Sequence, residues 1–200
     1  INIRLDADAI AFILDHGEAK IVFTDTEFAP TVREALSKCK VNPLVVDIAD
    51  DEAPCHDRLG DIEYEDFIAA GDPEFPWTLP NNEWDAMALC YTSGTTGNPK
   101  GVVYHHRGAY LNALNSGVAW NMDHHPVYLW TLPMFHCCGW TFPWTIAALS
   151  GTNVCLRRIA AKNIYDAIDE HKVTHFCGAP IVLNFIVNAA ESEKKPLPHT

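Results

Sequence analysis

Positive charge is what this sequence has least of: 14 Lys and Arg stand against 26 Asp and Glu, a formal net charge of −12. A field of that sign repels phosphate backbones and anionic lipid surfaces, so neither nucleic acid nor a membrane is expected as a partner. No apolar run approaches the roughly 18 residues that cross a bilayer, and no charged-then-apolar leader opens the chain. A cytoplasmic location is therefore expected. The seven cysteines are odd in number and include no C-x-x-C pair, which argues against a disulfide framework or a structural zinc site. Most lie inside apolar runs, where a reduced thiol is expected to pack as a small hydrophobe. Internal repeats and low-complexity tracts are absent too. So is an opening methionine: Ile1-Asn2-Ile3-Arg4-Leu5 reads like the interior of a domain, and a piece of a longer protein is expected.

What is present has globular proportions. Of 200 residues, 48% are apolar and 20% charged, enough for one fair-sized domain or two small ones. Apolar spacing predicts a helix over 6–16, with Asp6 as N-cap and Gly17 as stop, and a second helix over 28–39. Strands are predicted over 21–25 and 43–47. Further on come strand 86–91, helix 105–120, strand 127–130, helix 142–149, strand 151–156, helix 161–171 and strand 173–178. This alternation predicts an α/β fold of mainly parallel sheets flanked by helices. Between positions 47 and 74, Arg58 alone opposes a run of acidic residues. That stretch reads as a solvated connector with a short helix around 64–70, metal binding being the alternative. Pro73, Pro76 and Pro80, followed by Asn81 and Asn82, mark the boundary between segments 1–80 and 81–200.

The chemistry concentrates just after strand 86–91, in Tyr91-Thr92-Ser93-Gly94-Thr95-Thr96-Gly97-Asn98-Pro99-Lys100. A stretch of Thr, Ser, Gly and Asn cannot pack a core. It can present hydroxyls and bare backbone N–H groups, with Gly94 and Gly97 permitting φ > 0 and close approach of a ligand. Successive N–H groups in such a bend form an anion-binding concavity, and Lys100 adds a compact positive charge suited to phosphate oxygens. A chain this acidic needs such a local device to hold an anionic nucleotide. The Walker A pattern does not apply, because it requires adjacent Gly-Lys and here Pro99 precedes the lysine. Residues 101–104 are β-prone, so the loop is expected to join two strands as a hairpin and to lie open to solvent. An ordinary Gly/Thr/Ser turn is the alternative.

Residues 91–101 closely resemble the phosphate-loop signature of the adenylate-forming enzymes, which include acyl-CoA synthetases, aryl-CoA ligases, peptide-synthetase adenylation domains and luciferases. Pro133-Met134-Phe135-His136 resembles that family's Pro-x-Phe-His motif, which lies beside the carboxylate substrate. Residues 2–5, 21–25, 104–110, 127–133 and 174–180 are similar to one subgroup: acyl-CoA synthetases of bacteria and plant peroxisomes that act on short-chain, medium-chain or benzoate-like acids. The resemblance implies that segments 1–80 and 81–200 both belong to one large N-terminal adenylation domain. It implies an AMP-forming carboxylic acid–CoA ligase, in which a small-molecule carboxylic acid attacks the α-phosphate of ATP·Mg2+ to give an acyl-adenylate, and coenzyme A then displaces AMP. Carried over residue by residue, Thr92, Ser93, Gly94, Thr95, Thr96, Gly97 and Lys100 would bind ATP, with Thr96 also meeting Mg2+. Lys100 and His136 would be catalytic, and His136, Gly139, Trp140, Gly178, Ala179 and Pro180 would border the acyl pocket.

The family's later motifs, Tyr-Gly-x-Thr-Glu, Thr-Gly-Asp, the hinge and the C-terminal lysine, do not occur before Thr200. The chain alone is therefore expected to be inactive, and apolar faces left uncovered are expected to favour self-association, a homodimer being one form. A nucleotide-binding module without turnover, an adenylation domain with another acceptor and a purely structural piece remain alternatives. Spacing alone leaves His136 open as a core or surface histidine, assigns Cys137 no role and does not identify the acid.

Overall fold

In the computed structural model, which describes residues 1–92 and 99–197, the Asp6 carboxylate accepts a hydrogen bond from the Ala9 N–H at 2.9 Å and so opens helix α1 (Ala7–His16). Strand β1 (Ile21–Asp25), a 3-10 turn (Thr26–Phe28), α2 (Ala29–Lys38), β2 (Leu44–Ile48), β3 (Ile62–Glu63) and α3 (Tyr64–Ala69) follow. The three strands pair in the order β1-β2-β3, all parallel, with Val22 opposite Val45 and Val46 opposite Ile62. Ala7, Ile10, Ala11 and Leu14 form the apolar stripe that α1 buries together with Ala35 of α2. Gly17 stops the helix where the sequence places the stop, as the C-cap directly after His16, and Glu18 beyond it takes the left-handed conformation, at φ 49°.

The acidic connector is not simply solvated. Asp47 is 1% exposed and accepts from the Leu59 and Gly60 N–H groups at 3.0 and 2.9 Å. Thr26 Oγ1 donates to the Cys55 carbonyl at 2.9 Å. These bonds tie the stretch to the sheet and let it add β3, a strand too short for any period to reveal.

Strands β4 (Ala86–Thr92) and β5 (Lys100–His105) are hydrogen-bonded neighbours in a two-stranded sheet. A seven-residue link between paired strands allows only the antiparallel arrangement, the hairpin expected from the sequence. Residues 93–98 lie outside the described residues. The chain forms two compact units: Ile1–Asn82 with Met87–Val103, and Glu83–Ala86 with Tyr104–Thr200.

The second unit carries α4 (His106–Ala119), β6 (Val127–Trp130), a short left-handed turn (Cys137–Trp140), α5 (Phe142–Ala148), β7 (Thr152–Cys155), α6 (Ala161–His171), β8 (His175–Phe176) and α7 (Pro180–Val187). His105 caps α4 rather than starting it, its Nδ1 accepting from the Gly108 N–H at 3.0 Å. The sheet order is β7-β6-β8, all parallel, so β6 is central and its run Tyr128-Leu129-Trp130 is buried on both faces. Tyr128 and Trp130 pack with Phe142 and Ile146 on one face; Leu129 packs with Val154, Ile164 and Val182 on the other. Helix α7 was not predicted, because its sequence is apolar nearly all round and shows no helical period; Pro180 at its first turn suits a helix start. Contrary to expectation, Cys177 is the sole fully buried thiol, while Cys137 and Cys155 are exposed. Cys155 sits on the edge strand β7, whose alternate side chains turn outward. No disulfide forms among the described residues, and none of their helices is long and apolar enough to cross a membrane.

Candidate functional site

The first unit supplies the foot of the hydroxyl-and-glycine stretch. Tyr91, next to last in β4, places its hydroxyl 2.7 Å from Nδ1 of His16 at the end of α1. The two rings meet edge to face at 5.7 Å, and Phe12 stacks on His16 at 5.5 Å. Burial pushes the Tyr91 phenol up from its ordinary pKa. Gly17 lies beside this contact: a Cβ there would crowd the Ile13 carbonyl oxygen at 3.0 Å and only touch the Tyr91 hydroxyl, at 3.5 Å.

Thr92 and Lys100 stand on either side of residues 93–98, and both are exposed. The salt bridges among the described residues leave the Lys100 ammonium out. The remaining expected ATP contacts, Ser93, Gly94, Thr95, Thr96 and Gly97, lie outside the described residues, and with them the magnesium contact at Thr96.

The second unit brings together the two segments expected to border an acyl pocket. β6 and β8 run parallel as neighbours, with Tyr128 opposite His175 and Leu129 opposite Phe176, so both chains leave the same edge of the sheet. Beyond β6 come Pro133 to His136; beyond β8 come Gly178, Ala179 and Pro180. The Thr131 hydroxyl donates to the Cys177 carbonyl at 2.5 Å and fixes the two exits to each other. The carboxyl ends of strands are where open α/β sheets receive ligands. Gly178 is needed for close packing, since a Cβ there would lie 2.9 Å from Val182 of α7. Ala179 is the N-cap of that helix and Pro180 its first residue.

His136 is exposed, and its N–H donates to the Pro133 carbonyl at 3.1 Å. The backbone then enters the left-handed region for five residues: φ is 47° at Cys137, 44° at Cys138, 58° at Gly139, 54° at Trp140 and 66° at Thr141. Gly139 is buried against the Trp130 indole, where an added Cβ would come within 2.9 Å of two ring carbons. The indole is itself held by Nε1 donating to Asn153 Oδ1 at 2.8 Å. Trp140 is 48% exposed. Sequence reasoning singled out His136, Gly139 and Trp140 but missed their supports Asn112, Thr141 and Asn153, and missed His16 beneath Tyr91. No local signal marks them, because each acts through a partner distant in sequence.

Beneath these exits the Tyr128 hydroxyl is fully buried and has no hydrogen-bond partner of normal geometry among the described residues. Burial, and then the neighbouring Cys177 thiol, hold this phenol well above its ordinary pKa. Burial likewise pushes the Cys177 thiol up.

Parallel α/β architecture with its candidate segments at the strand ends defines the class. Within it, the family model described as AMP-binding enzyme matches residues 1–199, and the chain belongs to that family. It is 49% identical over 213 residues to the peroxisomal acetate/butyrate–CoA ligase of Arabidopsis thaliana, a match covering 100% of this chain and 37% of that protein. To the 2-methylpropanoate–CoA ligase of Humulus lupulus it is 47% identical, over 96% of this chain and 36% of the relative. Among solved structures, the inhibitor-bound N-terminal domain of FACL13 from Mycobacterium tuberculosis matches with a TM-score of 0.77 at 26% identity, over 99% of this chain and 47% of that one. The chain thus spans little more than a third of the length of these curated relatives.

Proposed function

We propose that the full-length protein containing this chain is an AMP-forming carboxylic acid–CoA ligase, which activates a small acid with ATP and passes the acyl group to coenzyme A. The observation that carries the reading is the exposed Lys100 at the start of β5, which makes no salt bridge among the described residues, beside a hydroxyl-and-glycine stretch that cannot serve a core. Relatives named as CoA ligases for acetate, butyrate and 2-methylpropanoate match along the chain, and they supply the substrate class and the acceptor. Both compact units then belong to one adenylation domain.

When a carboxylate displaces pyrophosphate at the α-phosphorus, charge builds on phosphate oxygens. Catalysis of such a step is mostly positioning and charge neutralisation. Lys100 neutralises that charge, Thr92 donates from its hydroxyl, and His136 orients the incoming carboxylate. Magnesium would add further neutralisation at the phosphates. By the family signature, its contact in this chain is Thr96, which lies outside the described residues. Seven thiols without a disulfide accord with a reducing, cytoplasmic setting; relatives named as peroxisomal make that organelle the alternative. The isolated chain is proposed to be inactive, and a homodimer is proposed for it.

The test is a panel of carboxylic acids given to the full-length protein with ATP, with and without coenzyme A, following pyrophosphate and thioester. Lys100→Ala should slow pyrophosphate release by about 100-fold. Acyl-adenylate without thioester would point to another acceptor. ATP binding without pyrophosphate release from any acid would reduce the protein to a nucleotide-binding module.

A further inference from the structure

We propose that Asn112 and Thr141 are positioning residues for the acid half of the reaction: their hydrogen bond clamps the left-handed turn that carries Trp140 and is entered from His136. The proposal rests on the ligase reading. Its starting point is the backbone, since five consecutive residues take positive φ and four of them are not glycine. L-residues adopt this region at a cost, and a β-branched residue such as Thr141 does so least readily. Such a run persists only where its surroundings over-determine it, and strain of this kind gathers at ligand sites.

Three contacts over-determine the turn. Gly139 sits under Trp130, whose ring is pinned by Asn153. The Thr141 hydroxyl donates to the Trp140 carbonyl at 2.5 Å and accepts from Nδ2 of Asn112, on α4, at 2.6 Å. One helical turn on, the fully buried Thr145 hydroxyl lies 3.2 Å from both the Thr141 carbonyl and the Ala113 carbonyl of α4. Helix α4 therefore fixes the far end of the turn as the Trp130 indole fixes its middle. The side chains left over are His136 and Trp140, both exposed, at the edge of the sheet where β6 and β8 end. A turn held this firmly beneath two unpacked rings is built to present them: the imidazole to a carboxylate, the indole to the apolar chain attached to it.

Steady-state kinetics on the full-length protein test this. Thr141→Val keeps the side-chain shape and removes the hydroxyl; Asn112→Leu removes the donor from a helix position that tolerates leucine; Thr141→Ser restores the hydroxyl. The first two should raise KM for the acid about ten-fold and change KM for ATP by less than about two-fold, with Ser close to wild type. Combining Val and Leu should cost little more than either alone, because one shared bond is lost. Equal movement of both KM values, an unchanged acid KM, or failure of Thr141→Ser to rescue would overturn the clamp. Those results leave wild-type turnover intact, so they are distinguishable from failure of the ligase reading, in which the wild type itself releases no pyrophosphate with any acid and the clamp falls with it.

Discussion

The His16 imidazole and the Tyr91 hydroxyl, 75 positions apart in sequence, lie 2.7 Å from each other and join the end of α1 to the strand that leads into the hydroxyl-and-glycine stretch. Tyr91→Phe keeps the ring contact with His16 and removes the hydrogen bond. It should lower stability by about 1 kcal/mol in urea denaturation. It should also raise KM for ATP more than KM for the acid, which steady-state kinetics on the full-length protein would read.

Gly139 has two reasons to be glycine, its φ of 58° and the Trp130 indole 2.9 Å from any added Cβ. Gly139→Ala should therefore destabilise by about 2 kcal/mol or more, measured as a fall in the denaturation midpoint. Relief of the φ requirement alone does not remove the clash, so Gly139→Asn should fare no better despite the tolerance of asparagine for left-handed backbone.

Tyr128 offers a pH test. Its folded-state pKa is raised by burial, so the proton is held more tightly folded than unfolded. That contribution to stability is intact below the unfolded value of about 10 and is lost as pH climbs above it. Cys177, also raised by burial, acts in the same direction from its unfolded value of about 8.5. Tyr128→Phe removes a buried hydroxyl with no normal hydrogen-bond partner among the described residues. At pH 7 it should be neutral or mildly stabilising, and between pH 9 and 11 the decline in midpoint should be shallower than in wild type.

Asp47 is a structural carboxylate despite lying at the head of an acidic run. Because it is buried on the Leu59 and Gly60 N–H groups, Asp47→Ala should cost about 2–3 kcal/mol. Gly60→Ala should cost a comparable amount, as its Cβ would sit 2.3 Å from the Val45 carbonyl oxygen. Substitution of exposed Asp51 should change the midpoint by less than about 0.5 kcal/mol. Equal effects at positions 47 and 51 would contradict the assignment.

The elements legible in the sequence were those with a local mark. Helix 161–171 emerged with the bounds Ala161–His171, and strand 127–130 as Val127–Trp130, because period and burial coincide there. The stretch from Thr92 to Lys100 stood out because residue types unfit for a core are contiguous. Helix α7 had no period to read, and β3 was too short to have one. At positions 173–178, where an apolar run predicted six strand residues, pairing with β6 extends only over His175–Phe176.

Spacing along the chain settled the alternation of strands and helices, and the run of hydroxyls and glycines carried the resemblance to the family, since both are properties of neighbouring residues. The left-handed turn was settled elsewhere. Cys137, Cys138, Trp140 and Thr141 all disfavour its backbone, and it stands because Trp130 lies under Gly139 and Asn112 reaches Thr141 from a helix 29 positions earlier. Contacts between residues so distant in sequence have energies that exist only once the chain has folded, which is why no reading of neighbours could have placed them.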